Sequence, residues 1–266
     1  MILKERRKIC EEMIPLIRNV GEFIAGEMEK VGKTDIEIKS QNSLVTYVDK
    51  TAEEMLVEGL SKLLPEAGYL TEEETVHQSH KELTWIIDPL DGTNNFLHRI
   101  PHFAVSVALQ MEEELQIGVV YNPCMEEMFV GFKDGGAFLN QTPIHSSHTP
   151  ELANAIIATG FPYQIEDVAP LIRTMGHFMR YARGIRRMGA AALDLVYVAC
   201  GRYDAYYESA VNAWDLAGGA IIVQEAGGTL TDFRGTDQYL KSGEMISCNA
   251  YLHEPILKAI QEKFRF

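Results

Sequence analysis

The stretch Trp85-Ile86-Ile87-Asp88-Pro89-Leu90-Asp91-Gly92-Thr93-Asn94-Asn95-Phe96 constrains the fold of this chain more than any other. Its apolar start is a strand that carries Asp88 out of the core. Pro89 can neither continue a ladder nor donate to one, and Asp91-Gly92-Thr93 makes a turn. Two carboxylates thus leave the interior together, and close like charges repel unless a cation neutralises them. Hard cations such as Mg²⁺ take oxygen ligands, and Leu90, between the two acids, adds a backbone carbonyl. Gly92 lets a bound group approach the backbone, and the N–H groups of Gly92 and Thr93 suit a phosphate if a helix starts there. The plain alternative is a tight turn in which Asp-Gly supplies backbone geometry alone.

A chain of 266 residues, 46% hydrophobic and 23% charged, can bury a large core. We read one domain over residues 1–266 in two joined halves, residues 1–147 and 148–266, with the break where Pro143, Pro150 and a Ser/His-rich stretch interrupt the pattern. The net charge of -14 argues against nucleic acid as a partner, because Lys and Arg must neutralise backbone phosphates. An anionic substrate would need a local positive centre, which bound metal provides. No apolar run approaches the roughly 18 residues of a membrane span and the N-terminus lacks an apolar signal segment, so a cytoplasmic protein without a membrane partner is expected. Cys10, Cys124, Cys200 and Cys248 are widely spaced, which suits reduced thiols. His145 and His148 have no companion ligand for zinc.

Met13, Leu16, Ile17, Val20, Phe23, Ile24 and Met28 have amphipathic-helix spacing, which predicts a helix from about Ile9 to Val31 with Gly32 at its C-cap. Gly26 and Gly32-Lys33-Thr34 imitate a P-loop, but the spacing is one residue too long and a helix stands where a strand is needed. Ile36–Ser40 reads as a strand, and Thr51-x-x-Glu54 as the capping box of a helix ending near Pro65, with Asp49 at its entrance. Tyr69-Leu70 is a short strand before the acidic run Glu72-Glu73-Glu74. Ala104–Leu109, Leu115–Tyr121 and Met128–Phe132 form an antiparallel meander. After a strand at Ala155–Ala158 the order becomes α/β: helix Ala190–Cys200, strand Asp204–Tyr207, helix Asp215–Ala226, strands Thr229–Thr231 and Met245–Cys248, and helix Glu254–Phe264.

Two motifs in this chain are those of one family. Asp88-Pro89-Leu90-Asp91-Gly92-Thr93 and Trp214-Asp215-Leu216-Ala217-Gly218-Gly219 resemble the paired signatures of the inositol monophosphatase family. Leu44-Val45-Thr46 with Asp49 resembles its Leu-Val-Thr-x-x-Asp segment, whose acid lies at the active site. The acidic run lies where the family has Gly-Glu-Glu, which maps the ligand to Glu72, although Thr71 replaces the Gly and Glu74 adds a third acid. Arg186-Arg187-x-Gly189-x-Ala191-Ala192-Leu193-Asp194 is similar to bacterial members. The likeness spans about Leu44 to Cys248.

The resemblance implies a layered α-β-α-β-α sandwich of the inositol monophosphatase and fructose-1,6-bisphosphatase type, in a homodimer. It implies that Glu72, Asp88, Asp91, Asp215 and the carbonyl of Leu90 hold two or more Mg²⁺ ions, with Mn²⁺ as a substitute. Asp49, Thr93 and Glu72 would activate water. Asp91, Gly92, Thr93, Gly189, Ala191 and Glu208 would contact substrate, and Ala190 lacks the hydroxyl that other members carry. The implied activity is hydrolysis of a phosphate monoester, foremost inositol 1-phosphate, with lithium sensitivity as a family trait. Rivals of the same superfamily are fructose-1,6-bisphosphatase, an adenosine 3′,5′-bisphosphate phosphatase and an NADP phosphatase. A rival of another class is a regulatory binding protein of the transcription or ribosome machinery.

Overall fold

The computed structural model describes residues 1–32, 37–40, 43–162 and 168–264, and for 37–40 and 43–45 the backbone alone. Lys33, Thr34 and Ile36 of the sequence reading lie outside these. The described residues form two large sheets. The first has seven strands in chain order: β3 (Gly68–Thr71), β4 (Leu83–Asp91), β5 (Ala104–Met111), β6 (Glu114–Asn122), β7 (Glu127–Phe132), β8 (Gly136–Leu139) and β9 (Thr142–Pro143). Only the β3–β4 pair is parallel. A separate antiparallel pair joins β1 (Glu37–Ser40) to β2 (Ser43–Val45). The second sheet orders β11 (Gly184–Arg186), β10 (Ile156–Thr159), β12 (Ala205–Ser209), β14 (Glu244–Cys248) and β13 (Thr229–Thr231), with β10 parallel to both neighbours.

Helices cover and separate the sheets. The pair α1 (Leu3–Glu27) and α2 (Tyr47–Leu63) packs on the outer face of the seven-stranded sheet. The pair α5 (Ala191–Ala199) and α6 (Ala213–Glu225) fills the space between the sheets, and α4 (Ala169–Tyr181) with α8 (His253–Phe264) closes the far face. Short helices α3 (Thr93–Leu97) and α7 (Tyr239–Ser242) complete the set. This is the layered α-β-α-β-α sandwich expected from the sequence. Central strands such as β6 and β7 are buried on both faces, which is why they read as nearly continuous apolar runs.

Several boundaries differ from the sequence reading. Helix α1 begins six residues earlier than predicted, where the Glu5 side chain accepts the Ile2 N–H at 3.0 Å, and its C-cap is Met28 rather than Gly32. Its apolar stripe holds: Met13, Ile17, Val20 and Ile24 are buried. Helix α2 is capped by Thr46, not by the Thr51–Glu54 box: Thr46 Oγ1 accepts the Val48 N–H while Asp49 Oδ2 accepts the Thr46 N–H. Helix α4 and strand β11 have no counterpart in the sequence reading. Among the described residues no helix is long and apolar enough to cross a membrane.

Candidate active site

Strand β4 carries its acids to one edge of the seven-stranded sheet. Asp88 pairs with Ser106 and Asp91 with Ala104 on β5, and the register shifts between them where Pro89 interrupts the ladder. Both acids are buried, and Asp88 Oδ1 accepts the Leu90 N–H at 3.0 Å. Because β3 runs parallel to β4 with Thr71 opposite Ile87, the next residue, Glu72, arrives level with Asp88. The Glu72 N–H donates to the Ile87 carbonyl at 3.2 Å, and the Glu72 and Asp88 carboxyls are hydrogen-bonded. The carboxyl ends of two adjacent parallel strands are where α/β sheets place ligands.

Two helices from the second half meet this edge end-on. Asp215, in the first turn of α6, accepts the Asn212 N–H at 2.6 Å. The first turn of α5 grips Asp91, with the Ala191 N–H 3.1 Å from Oδ1 and the Ala192 N–H 2.8 Å from Oδ2. Gly189 precedes that helix with φ of +85°, and a Cβ on Gly92 would lie 3.3 Å from the Ala190 Cβ. Glu208 on β12 accepts the Tyr206 hydroxyl at 2.6 Å, and a Cβ on Gly160 would fall 1.9 Å from its Oε1, so only glycine leaves room for that carboxyl.

Burial and crowding raise the proton affinity of the whole group. Asp88 is pushed well up by burial, then by the charges of Glu72, Asp91 and Asp215. Burial and Asp215 push Asp91 up to about 8, against the opposing pull of the Ala192 and Ala191 N–H groups. Burial pushes Asp215 up to about 6 and Glu208 to about 7. Acids so perturbed in a group mark a site that exists for something other than stability. Asp88, Asp91 and Asp215 accept the N–H donors above and Glu208 the Tyr206 hydroxyl, and among the described residues no three such side chains stand in metal-holding geometry. Their donor atoms are all oxygen, which fits Mg²⁺ or Mn²⁺ and not the nitrogen and sulfur preference of zinc.

Beside the acids, Gly92 takes a left-handed conformation and α3 begins at Thr93. Thr93 Oγ1 faces two acceptors, Asp49 Oδ1 at 3.2 Å and the Leu90 carbonyl at 3.0 Å. Asp49 is buried, which raises its proton affinity against the hydrogen bonds from Thr46 and Thr93. The structure therefore brings Asp49, Glu72, Asp88, Leu90, Asp91, Thr93, Asp215 and Glu208 to one region. Ala191 turns its N–H toward Asp91 instead of outward.

Three residues of this region went unassigned in the sequence. Asn95 ties α3 to the Gly189 segment by donating to the Met188 carbonyl at 2.8 Å, and it also donates to the His102 carbonyl just before β5 at 2.8 Å. Asp194 on α5 is buried, and Glu208 and Asp91 add to that burial in raising its proton affinity. Glu53 is fully buried on α2 and accepts four hydrogen bonds, one from the Thr71 hydroxyl at the end of β3 and three from the segment that follows. Its position four residues after Asp49, on the same helix face, was the available signal.

Comparison with known proteins bears on the family and the fold. The model of the inositol monophosphatase family matches residues 5–265. A Nus factor SuhB of Pasteurella multocida is 38% identical over 92% of each chain. An inositol-1-monophosphatase of Rhizobium meliloti is 36% identical over 96% of this chain and 97% of its own. The solved structure of a Thermotoga maritima IMPase superposes with a TM-score of 0.89 at 31% identity, over 97% of this chain and 98% of its own. With the family model matched over nearly its whole length and the layered fold shared with that structure, the chain belongs to the inositol monophosphatase family.

Proposed function

We propose that the protein hydrolyses a phosphate monoester, foremost inositol 1-phosphate, with divalent metal. The observation that carries this reading is the convergence of Glu72 after β3, Asp88 and Asp91 on β4 and Asp215 on α6 in one mutually repelling cluster. Metal dependence is general in this family, and two or more Mg²⁺ ions, or Mn²⁺, would be held by these carboxylates and the Leu90 carbonyl. When bound, such ions acidify water and stabilise the departing alkoxide.

The remaining work falls to the chain. The N–H groups of Gly92 and Thr93, at the first turn of α3, face the phosphoryl oxygens. Thr93 Oγ1 orients the attacking water, and Asp49, its raised proton affinity matched to the task, accepts the proton that passes through the hydroxyl. Glu72 assists at the same water. Glu208, fixed by Tyr206, accepts hydrogen bonds from ring hydroxyls, and the Gly189–Ala191 turn lines the pocket beside it. We also assign the protein to the cytoplasm, as one domain in a homodimer.

Phosphate release is to be measured on inositol 1-phosphate, glycerol 2-phosphate, fructose 1,6-bisphosphate, adenosine 3′,5′-bisphosphate and NADP⁺, with Mg²⁺ present or chelated. The expected result is preference for the two monoesters and loss of activity on chelation. Activity indifferent to chelation contradicts the metal assignment. A second reading, a binding role in transcription, is favoured by the SuhB relative named as a Nus factor. A folded protein silent on every ester would support it.

A further inference from the structure

We propose that Glu53 is the positioning residue that sets Glu72 at the metal-holding edge, an inference that rests on reading Glu72 as a ligand. Both oxygens of its carboxyl reach across to the segment after β3. Oε2 accepts the Glu73 N–H at 2.8 Å, and Oε1 accepts the Thr75 N–H at 2.8 Å and the Thr75 hydroxyl at 2.7 Å. The Thr71 hydroxyl adds a fourth bond at 2.9 Å to Oε1, just before Glu72.

The residue between the two clamped amides is Glu74, whose φ of +52° lies in the left-handed region that side chains other than glycine and asparagine rarely enter. The sequence offers no glycine in Thr71-Glu72-Glu73-Glu74-Thr75 to take that conformation freely. Glu53 therefore imposes it from outside by spanning the turn, and Glu72 is held between this clamp and the hydrogen bond its own N–H donates to the Ile87 carbonyl at 3.2 Å. Four residues earlier on the same face of α2, Asp49 holds Thr93. One helix face thus fixes two parts of the site, and the four hydrogen bonds of the buried Glu53 carboxyl all go to residues 71–75.

Glu53→Gln keeps the size of the side chain but in either orientation sets its NH₂ against a backbone N–H, that of Glu73 or of Thr75, which cannot accept, so the clamp opens on one side. The test is calorimetric titration of Mn²⁺ into the wild type, Glu72→Gln and Glu53→Gln, with activity followed against Mg²⁺ concentration. Glu53→Gln is expected to weaken Mn²⁺ binding about 10–100-fold, with kcat returning to within about threefold of wild type at saturating Mg²⁺. Wild-type Mn²⁺ affinity in Glu53→Gln, even with a lowered melting temperature, would overturn the proposal by leaving Glu53 a purely structural role. A wild type that does not bind Mn²⁺, or a Glu72→Gln that binds it fully, would instead remove the ligand reading and this proposal with it. Should Glu53→Gln not fold, Thr75→Val, which removes one donor, decides: weaker Mn²⁺ binding supports the clamp and unchanged binding overturns it.

Discussion

Asp91 carries the tension of this site in a single residue: it is buried among like charges, yet two backbone amides of α5 hold it where it is. Its proton affinity is raised to about 8, that of Glu208 to about 7 and that of Asp215 to about 6, against unfolded values of about 4. Between those limits the folded chain holds more protons than the unfolded chain, so its stability falls as pH rises. In chelator, the melting temperature is expected to drop from about pH 5 to about pH 8, and Mg²⁺ to raise it more at the upper end. Asp91→Asn, with one of these charges gone, gives a shallower slope in chelator. A chelated wild type whose melting temperature climbs over that range would contradict the repulsion. The acids themselves were legible from motif and order, down to Glu72 in a run of three. Glu53 and Asn95 were not assigned: only the place of Glu53 four residues after Asp49 pointed to it, because nothing local in a sequence distinguishes a buried polar side chain from a solvated one.

Helix α6 delivers Asp215 only because it lies unusually close to the sheet, and glycines on both sides permit this. A Cβ on Gly118 would stand 2.3 Å from the Gly218 carbonyl oxygen and 2.3 Å from Ile221 Cγ2, and one on Gly131 2.8 Å from Ile222 Cα. Backbone cannot yield as a flexible side chain can. Gly118→Ala is therefore expected to destabilise the protein by about 3 kcal/mol, read as a lower denaturant midpoint at unchanged slope. Gly26→Ala near the end of α1, with open space around it, is expected to stabilise by up to about 1 kcal/mol. Equal effects from the two would refute the close-approach argument. The small residues of α6 were visible in the sequence, and so was its start near Asp215. Helix α4 was not. Its buried side is only Leu171, Thr174 and Phe178, while Ile172 and Met179 face outward, so apolar residues on both faces blur the helical period. Strand β11, three residues long, is too short to show alternation. The capping of α2 was misplaced because Thr46-x-x-Asp49 and Thr51-x-x-Glu54 both fit the motif, and the end of β2 at Val45 selects the first.

In the whole molecule, the layers bring together Glu72 just after β3 and the acids of β4 and α6, although the chain that separates them runs from Glu72 to Asp215. The order of elements, a meander followed by α/β, was legible from helical and strand periods, and their stacking into alternating layers came from the family resemblance. The meeting point was legible only through the resemblance of two motifs, since no local pattern says that residues so far apart will touch. A protein with a net charge of -14 has every electrostatic reason to keep further negative charge out, so gathering four acids at one edge, two of them buried, calls for cations. Diffraction from crystals soaked in Mn²⁺, recorded to collect its anomalous signal, tests this most directly. The expected result is a strong anomalous peak, or a pair about 3.5 to 4 Å apart, among Glu72, Asp88, Leu90, Asp91 and Asp215. Well-ordered carboxyls with no peak between them, or Mn²⁺ bound elsewhere on the molecule, would contradict the metal site and the phosphatase chemistry that depends on it.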